Sequence, residues 1–172
     1  MILALDISTT TGFAAGVAGC SIPEWGVWEM PGPAETFGRR FNAFENCILD
    51  AFDKYQPARV VVERPIPQRD NNVVTAELTL GFHAVLALHA FRHDLPLERP
   101  SVDTIRNAVM GRSRLTPAER ALKMKVKTHL VEPWIRSMGW GVIGHPDARD
   151  AAAVWAWAAG IRAARPPRKK AA

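Results

Sequence analysis

The sequence predicts an α/β domain in which a mixed five-stranded sheet is flanked by helices, and three observations carry that prediction. Three strand-like runs fall within the first thirty residues, and β-branched runs then alternate with stretches of helical length and periodicity. Two of the apolar runs also stop at an acidic residue, Asp6 and Glu63. Strands first, followed by strand and helix in alternation, give a mixed sheet with helices packed on it.

Taken in order, residues 2–5 form an apolar run of strand length that ends at Asp6, and Ser8, Thr9, Thr10, Thr11 and Gly12 supply turn chemistry. Residues 13–18 resume the apolar pattern. Residues 24–30, with Trp25, Val27 and Trp28, complete an antiparallel meander whose first strand is expected to be central. Pro31, Gly32 and Pro33 end the meander, and over 34–55 the residues Phe37, Phe41, Phe44, Ile48 and Phe52 recur at helical spacing. Residues 59–62 are too short and too apolar for a surface helix, so they read as a buried strand that Glu63 terminates.

The stretch 72–92 is helical by length but apolar around its axis, with Val74, Leu78, Phe82, Val85, Leu86, Leu88 and Phe91. Such a helix needs two partners: the sheet, and either another helix or a second subunit. Residues 95–99 are expected to be the last strand and 102–110 a short helix. A longer helix over 116–131 begins with Thr116 and Pro117 as cap and first position. A final helix starts at His145 and Pro146 and is expected to run to about residue 164, leaving 165–172 as a basic, disordered tail to a domain spanning 1–164.

A chain of 172 residues with 48% hydrophobic composition can bury one core without splitting. Its 22 Lys and Arg against 17 Asp and Glu give a net charge of only +5, so the placement of charge says more than the total. Between 106 and 127 stand Arg106, Arg112, Arg114, Arg120, Lys123, Lys125 and Lys127 against the single acid Glu119. A polyanion such as nucleic acid suits that stretch, as does a simple solvated helix face. Cys20 and Cys47 have no metal-ligand spacing and a domain of this size needs no disulfide, which points to a reducing, cytoplasmic setting. No cation precedes the first apolar run and Asp6 interrupts it, against a signal peptide. Glu77, His83 and His89 interrupt 73–91, against a membrane span.

The acids are unusual in position. Asp6 and Glu63 close apolar strands that are candidates for neighbours in the sheet, so their carboxylates can emerge at one edge. Asp147 and Asp150 are three apart on a helix and share a face with Val154, Trp157, Ala158 and Ile161, an apolar stripe. Half-buried carboxylates gathered this way repel one another unless a cation intervenes, and an oxygen-only donor set suits Mg²⁺ or Mn²⁺ better than zinc. Each has a bland alternative: acids in a first helical turn complement the helix dipole, and an Asp after a strand forms turns. Glu63 after three valines is harder to explain that way, because Glu is depleted in buried strands. The six tryptophans read mainly as core residues. His89 and His93, four apart, read as packing or surface residues, not zinc ligands.

The Asp6 strand with its Thr and Gly turn, the Val-Val-Val-Glu strand, and the run His145-Pro146-Asp147-Ala148-Arg149-Asp150-Ala151-Ala152 together resemble the acidic motifs of the RuvC Holliday-junction resolvases. The resemblance spans nearly the whole chain, and segments 105–111 and 121–126 are similar to the family's basic segments. It implies a ribonuclease H-like fold, a homodimer, for which the apolar helix 72–92 is the expected interface, and an endodeoxyribonuclease holding two Mg²⁺ per site on Asp6, Glu63, Asp147 and Asp150. In that scheme Asp6 bridges the ions, Glu63 and Asp147 complete one site, and Asp150 completes the other. His145 would orient a water or assist a ligand, with a helix-capping role as the alternative. Arg106 and Lys123 stand where the family places DNA-backbone or active-site cations. Lys125, Lys127, Arg112 and Arg114 would add contacts to the phosphates of a four-way junction.

Two departures bear on selectivity. Ile7 and Ser8 replace the family's glycine-containing turn, with Gly12 one residue early. Pro65, Ile66 and Pro67 stand where junction-selective members carry an aromatic that stacks on bases. A broader branched-DNA nuclease is therefore as consistent as a strict resolvase. Two rival functions are an inactive DNA-binding scaffold of the same fold and an actin-like nucleotide binder. The retained acids argue against the first, and 172 residues leave no room for the second domain the other needs.

Overall fold

The computed structural model describes residues 1–65 and 73–163, and for Lys127 and Thr128 the backbone alone. Five strands form one sheet in the order β3-β2-β1-β4-β5. β1 (Ile2–Asp6) is central, antiparallel to β2 (Thr10–Gly16) on one side and parallel to β4 (Arg59–Val62) on the other. β3 (Glu24–Glu29) pairs antiparallel with β2, and β5 (Leu97–Glu98) pairs parallel with β4. Only two residues of the expected last strand, 95–99, enter the ladder.

Handedness explains which helices lie on which face. α1 (Phe37–Tyr55) carries the chain from β3 to β4, and α2 (Val73–Arg92) carries it from β4 to β5. Both crossovers join parallel strands and move in the same direction along the sheet, so right-handed connection puts them on the same face. There Leu3, Leu5, Val60 and Val62 pack with Phe44, Ile48, Phe52, Leu78, Phe82 and Leu86. The strand residues between them, Ile2, Ala4, Ala14 and Val61, face the opposite core with α3 (Val102–Met110), α5 (Glu132–Ser137) and α6 (Pro146–Ala158). β1 and β4 are thus buried on both faces, which is why they read as continuous apolar runs. Trp134, Trp140 and Trp155 are core residues of the α6 side, with Trp140 lying edge-on to both of the others.

α2 is long and apolar enough to cross a membrane by length and composition. Its inward side is nonetheless committed: Phe82 stacks on Phe44 at a centroid distance of 4.5 Å, and Gly81 lets α1 come so close that a Cβ there would meet the Phe41 ring at 2.3 Å. His83 and His89 are buried, the latter with Nε2 2.6 Å from Glu45 Oε1 on α1. His89 is therefore a packing residue, and His93 lies edge-on to Phe52.

Two helices end earlier than their periodicity predicts. In place of one helix over 116–131 there are α4 (Pro117–Ala121), a π-helical turn η1 (Lys127–Val131) and α5. α4 stops because Lys123 adopts φ +53° and Met124 N–H donates to Glu119 O, a Schellman closure with lysine where glycine is usual. No glycine marks that break in the sequence. α6 ends at Ala158, short of 164, through the same closure at Gly160 (φ +82°), where Ile161 N–H donates to Ala156 O. The expected tail, 165–172, lies outside the described residues.

β2 and the start of α6 approach each other closely at Gly12. Gly12 pairs with Asp6 across β1 and β2, and a Cβ on Gly12 would sit 2.0 Å from the Asp147 carbonyl oxygen. Ala148, Ala151 and Ala152 continue this small-residue contact as α6 crosses the sheet.

Two stability predictions follow from these contacts. Gly12→Ala forces α6 off β2 and is expected to cost roughly 1–3 kcal/mol in urea denaturation; an unchanged midpoint rejects the contact. Burial, and then the charge of Arg99, lowers the His83 pKa from 6.5 to about 4. The unfolded chain therefore takes up a proton that the folded chain refuses, so stability falls as pH drops from 6.5 toward 4, by roughly 3 kcal/mol. His83→Met is expected to flatten that part of the stability-pH curve relative to wild type.

Candidate metal centre

The carboxyl ends of central parallel strands are where open α/β sheets bind ligands, and β1 and β4 deliver Asp6 and Glu63 to that edge. Along β1 the side chains of Ile2 and Ala4 face α6, and alternation sends Asp6 the same way. On β4 the same parity runs from Val61 to Glu63. Glu63 is one step beyond the Leu5–Val62 pair and donates its N–H to Leu5 O at 3.4 Å.

α6 brings the other two acids. Asp147 lies in its first turn and Asp150 follows three residues on, only 7% exposed. Because Gly12 lets this turn rest on β2 opposite Asp6, one carboxylate oxygen each from Asp6, Asp147 and Asp150 lies within 4.8 Å of the others. Glu63 stands on the neighbouring strand, outside that 4.8 Å group. Three of the four acids expected from the sequence are thus gathered, and the fourth is beside them.

The donor set fits a hard divalent cation. Oxygens bound to one Mg²⁺ at about 2.1 Å lie at most about 4.2 Å apart, so a small side-chain rotation closes the trio around an ion. Carboxylates gathered this closely favour a cation between them. Asp6, Asp147 and Asp150 are the residues that would hold it, with Glu63 one residue past the end of the neighbouring β4.

His145 is the N-cap of α6: Nδ1 accepts the Asp147 N–H at 3.3 Å and lies 3.8 Å from Asp147 Oδ2. The capping alternative is therefore realised.

The basic residues divide. α3 and η1 both pack on α6, so the elements bearing Arg106 and Lys127 flank the helix that bears the acids. Arg106 is half-buried on α3, Lys123 and Lys125 are exposed between α4 and η1, and the Lys127 side chain lies outside the described atoms. Arg112 and Arg114 are engaged within the protein. Arg112 makes a two-pronged pair with Glu119 at 2.8 and 2.9 Å, and Arg114 pairs with Asp103 at 3.0 Å. Glu119 also accepts the Thr116 N–H at 2.7 Å in a capping box. Its pKa is lowered to about 2, first by Arg112 and then by the Thr116 backbone. That network braces the turn between α3 and α4.

Three contributors escaped sequence reasoning. Gly12 looked like a displaced turn glycine, yet it is what admits α6. Arg149 and Glu132 form a 3.0 Å ion pair beside the acids. An arginine in the first turn of a helix, against the helix dipole, was the available signal for that pair. Pro65 is described and half-buried, whereas Ile66 and Pro67 lie outside the described residues.

No protein-family model matches the chain. A crossover junction endodeoxyribonuclease RuvC from Streptomyces avermitilis is 33% identical over 122 residues, 69% of this chain and 68% of that protein. Among solved structures, Thermus thermophilus RuvC in complex with a Holliday junction substrate superposes with a TM-score of 0.66 at 17% identity, over 89% of this chain and 88% of that one. Thermus thermophilus RuvC in a second structure gives 0.61 at 16% identity, over 94% and 98%. The yeast mitochondrial Holliday junction resolvase Ydc2 gives 0.58 at 13% identity, over 92% and 76%. With the ribonuclease H-like sheet, the acids at its central edge and a relative at this identity and coverage, the chain belongs to the family of RuvC crossover junction endodeoxyribonucleases.

Proposed function

We propose that this protein is a Mg²⁺-dependent, structure-selective DNA endonuclease that cleaves Holliday junctions or other branched DNA. The observation that carries the reading is the convergence of Asp6, Asp147 and Asp150 within 4.8 Å at the end of the central strand. When bound, paired divalent ions supply a water of lowered pKa and neutralise charge on the leaving 3′ oxygen. The chain's part is to hold those ions. Asp6, on the rigid central strand, would be the ligand common to both ions, with Asp147 and Glu63 holding one and Asp150 the other. His145, by capping α6, fixes the backbone at Asp147. Arg106, Lys123, Lys125 and Lys127 supply phosphate contacts that position DNA without reading its sequence. Arg112 and Arg114 contribute to DNA binding less directly, since each must leave an internal acid to reach a phosphate.

A homodimer through α2 completes the reading. The outward side of α2 exposes Leu80 (57%), Leu88 (46%) and Phe91 (81%) at helical spacing, beside Ala84. A second copy of the same stripe would cover them and give two metal centres to two strands of a junction. Free Cys20 and Cys47 suit a reducing, cytoplasmic compartment.

Two measurements test this reading. On a synthetic four-way junction beside duplex, flap and single-stranded controls, wild type with Mg²⁺ is expected to nick the junction. Asp6→Asn or EDTA is expected to lower the rate on the order of 10²–10³-fold or more. Binding without cleavage by wild type would favour the inactive scaffold, and cleavage of all branched substrates alike would favour the broader nuclease. In sedimentation, wild type is expected as a dimer and Phe91→Glu as a folded monomer; a Phe91→Glu dimer rejects the α2 interface.

A further inference from the structure

We propose that Arg149, the residue between the two acids of α6, is a positioning residue of the metal centre that acts through Glu132. The inference rests on the reading of the acids as metal ligands. Arg149 stands in the first turn of α6, where a cation opposes the helix dipole by about 0.3–1 kcal/mol, so its presence there needs a compensating contact. The contact is specific. Nε donates to Ile143 O at 2.7 Å, and Nη1 lies 3.0 Å from Glu132 Oε1.

With its side chain 22% exposed and its donors engaged on two partners, Arg149 is built into the protein and is not a free phosphate-binding arm. Its two partners come from different places. Ile143 lies in the segment that leads into α6, and Glu132 opens α5 directly after η1. One guanidinium therefore ties the start of α6 both to its own entry segment and to the element that continues from the basic stretch. Together with Pro146 and Val131, Arg149 and Glu132 line a shallow recess whose wall includes Asp150.

The consequence is geometric. The first turn of α6 is held on one side by Gly12 and on the other by Arg149, so Asp147 and Asp150 have little freedom to splay away from Asp6. Half-buried ion pairs of this kind are screened less than exposed ones. Partners that hold ligands in this indirect way typically change metal affinity by about 10–100-fold when removed.

The test uses the full chain and reads Mn²⁺ affinity by calorimetry, with hydrogen exchange at residues 147–150 in the metal-free protein. Arg149→Met and Glu132→Gln are each expected to weaken Mn²⁺ binding about 10-fold and to speed exchange at those amides. The double variant is expected to be no weaker than either single one, because both remove the same link. Arg149→Lys, which keeps the charge opposite Glu132, is expected to recover part of the affinity. Glu132 is partly exposed, so Glu132→Gln provides a folded variant even if Arg149→Met does not. Wild-type Mn²⁺ affinity in Arg149→Met, a lower melting temperature without a change in affinity, or strictly additive losses would overturn the inference. Wild type that binds Mn²⁺ no better than Asp6→Asn overturns the metal-centre reading itself, and the inference with it.

Discussion

The approach of α6 to β2 at Gly12 is the constraint on which the site depends. A helix that carries acids in its first turn can serve a strand end only if its backbone comes within contact of the sheet. Any side chain at position 12 would occupy the place of the Asp147 carbonyl. Because Gly12 is the register partner of Asp6, the point where the helix is allowed to touch is also the point where the first acid emerges. The alanines at 148, 151 and 152 extend the close contact along the helix, and Trp155 anchors its far end with Nε1 3.3 Å from Gly16 O.

That contact gathers charge at the one edge of the sheet where backbone polarity and helix geometry favour ligands. β1 supplies a rigid platform because it is buried on both faces and paired on both sides. The dipole at the start of α6 favours acids there, and His145 caps the helix through the Asp147 N–H. The basic elements are brought up on the same side, since α3 and η1 pack on α6. The two faces differ accordingly: α3, α5 and α6 pack on the face toward which Asp6 turns, whereas α1 and α2 close the other core and leave an apolar stripe outward.

The cations in this stretch are less uniform than their density suggests. Arg112 and Arg114 neutralise Glu119 and Asp103, and Arg149 neutralises Glu132, so much of the positive charge is spent on holding helices in register. Among the described residues of that stretch, Arg120, Lys123 and Lys125 are instead exposed and Arg106 is half-buried. Composition counts both kinds alike, because pairing between residues 7 to 17 positions apart depends on turns that composition does not contain.

By itself the sequence determined the meander, its central first strand, the limits of α3 and the core periodicity of α1, since each of these is a local pattern of apolar spacing and caps. It also marked Asp6, Glu63, Asp147 and Asp150 as acids misplaced for solvent, because a carboxylate ending an apolar strand or heading an apolar helical stripe is visible in one dimension. Only the tertiary structure decided which of them meet: the trio forms across β1 and α6, more than 140 positions apart, by virtue of a missing Cβ at Gly12. It alone decided that the helix expected over 116–131 breaks at Lys123, because a left-handed lysine carries no sequence signal of the kind a glycine does. The roles of Arg149 and Glu132 were likewise out of reach, for an ion pair is defined by which helices pack together, and periodicity does not specify that.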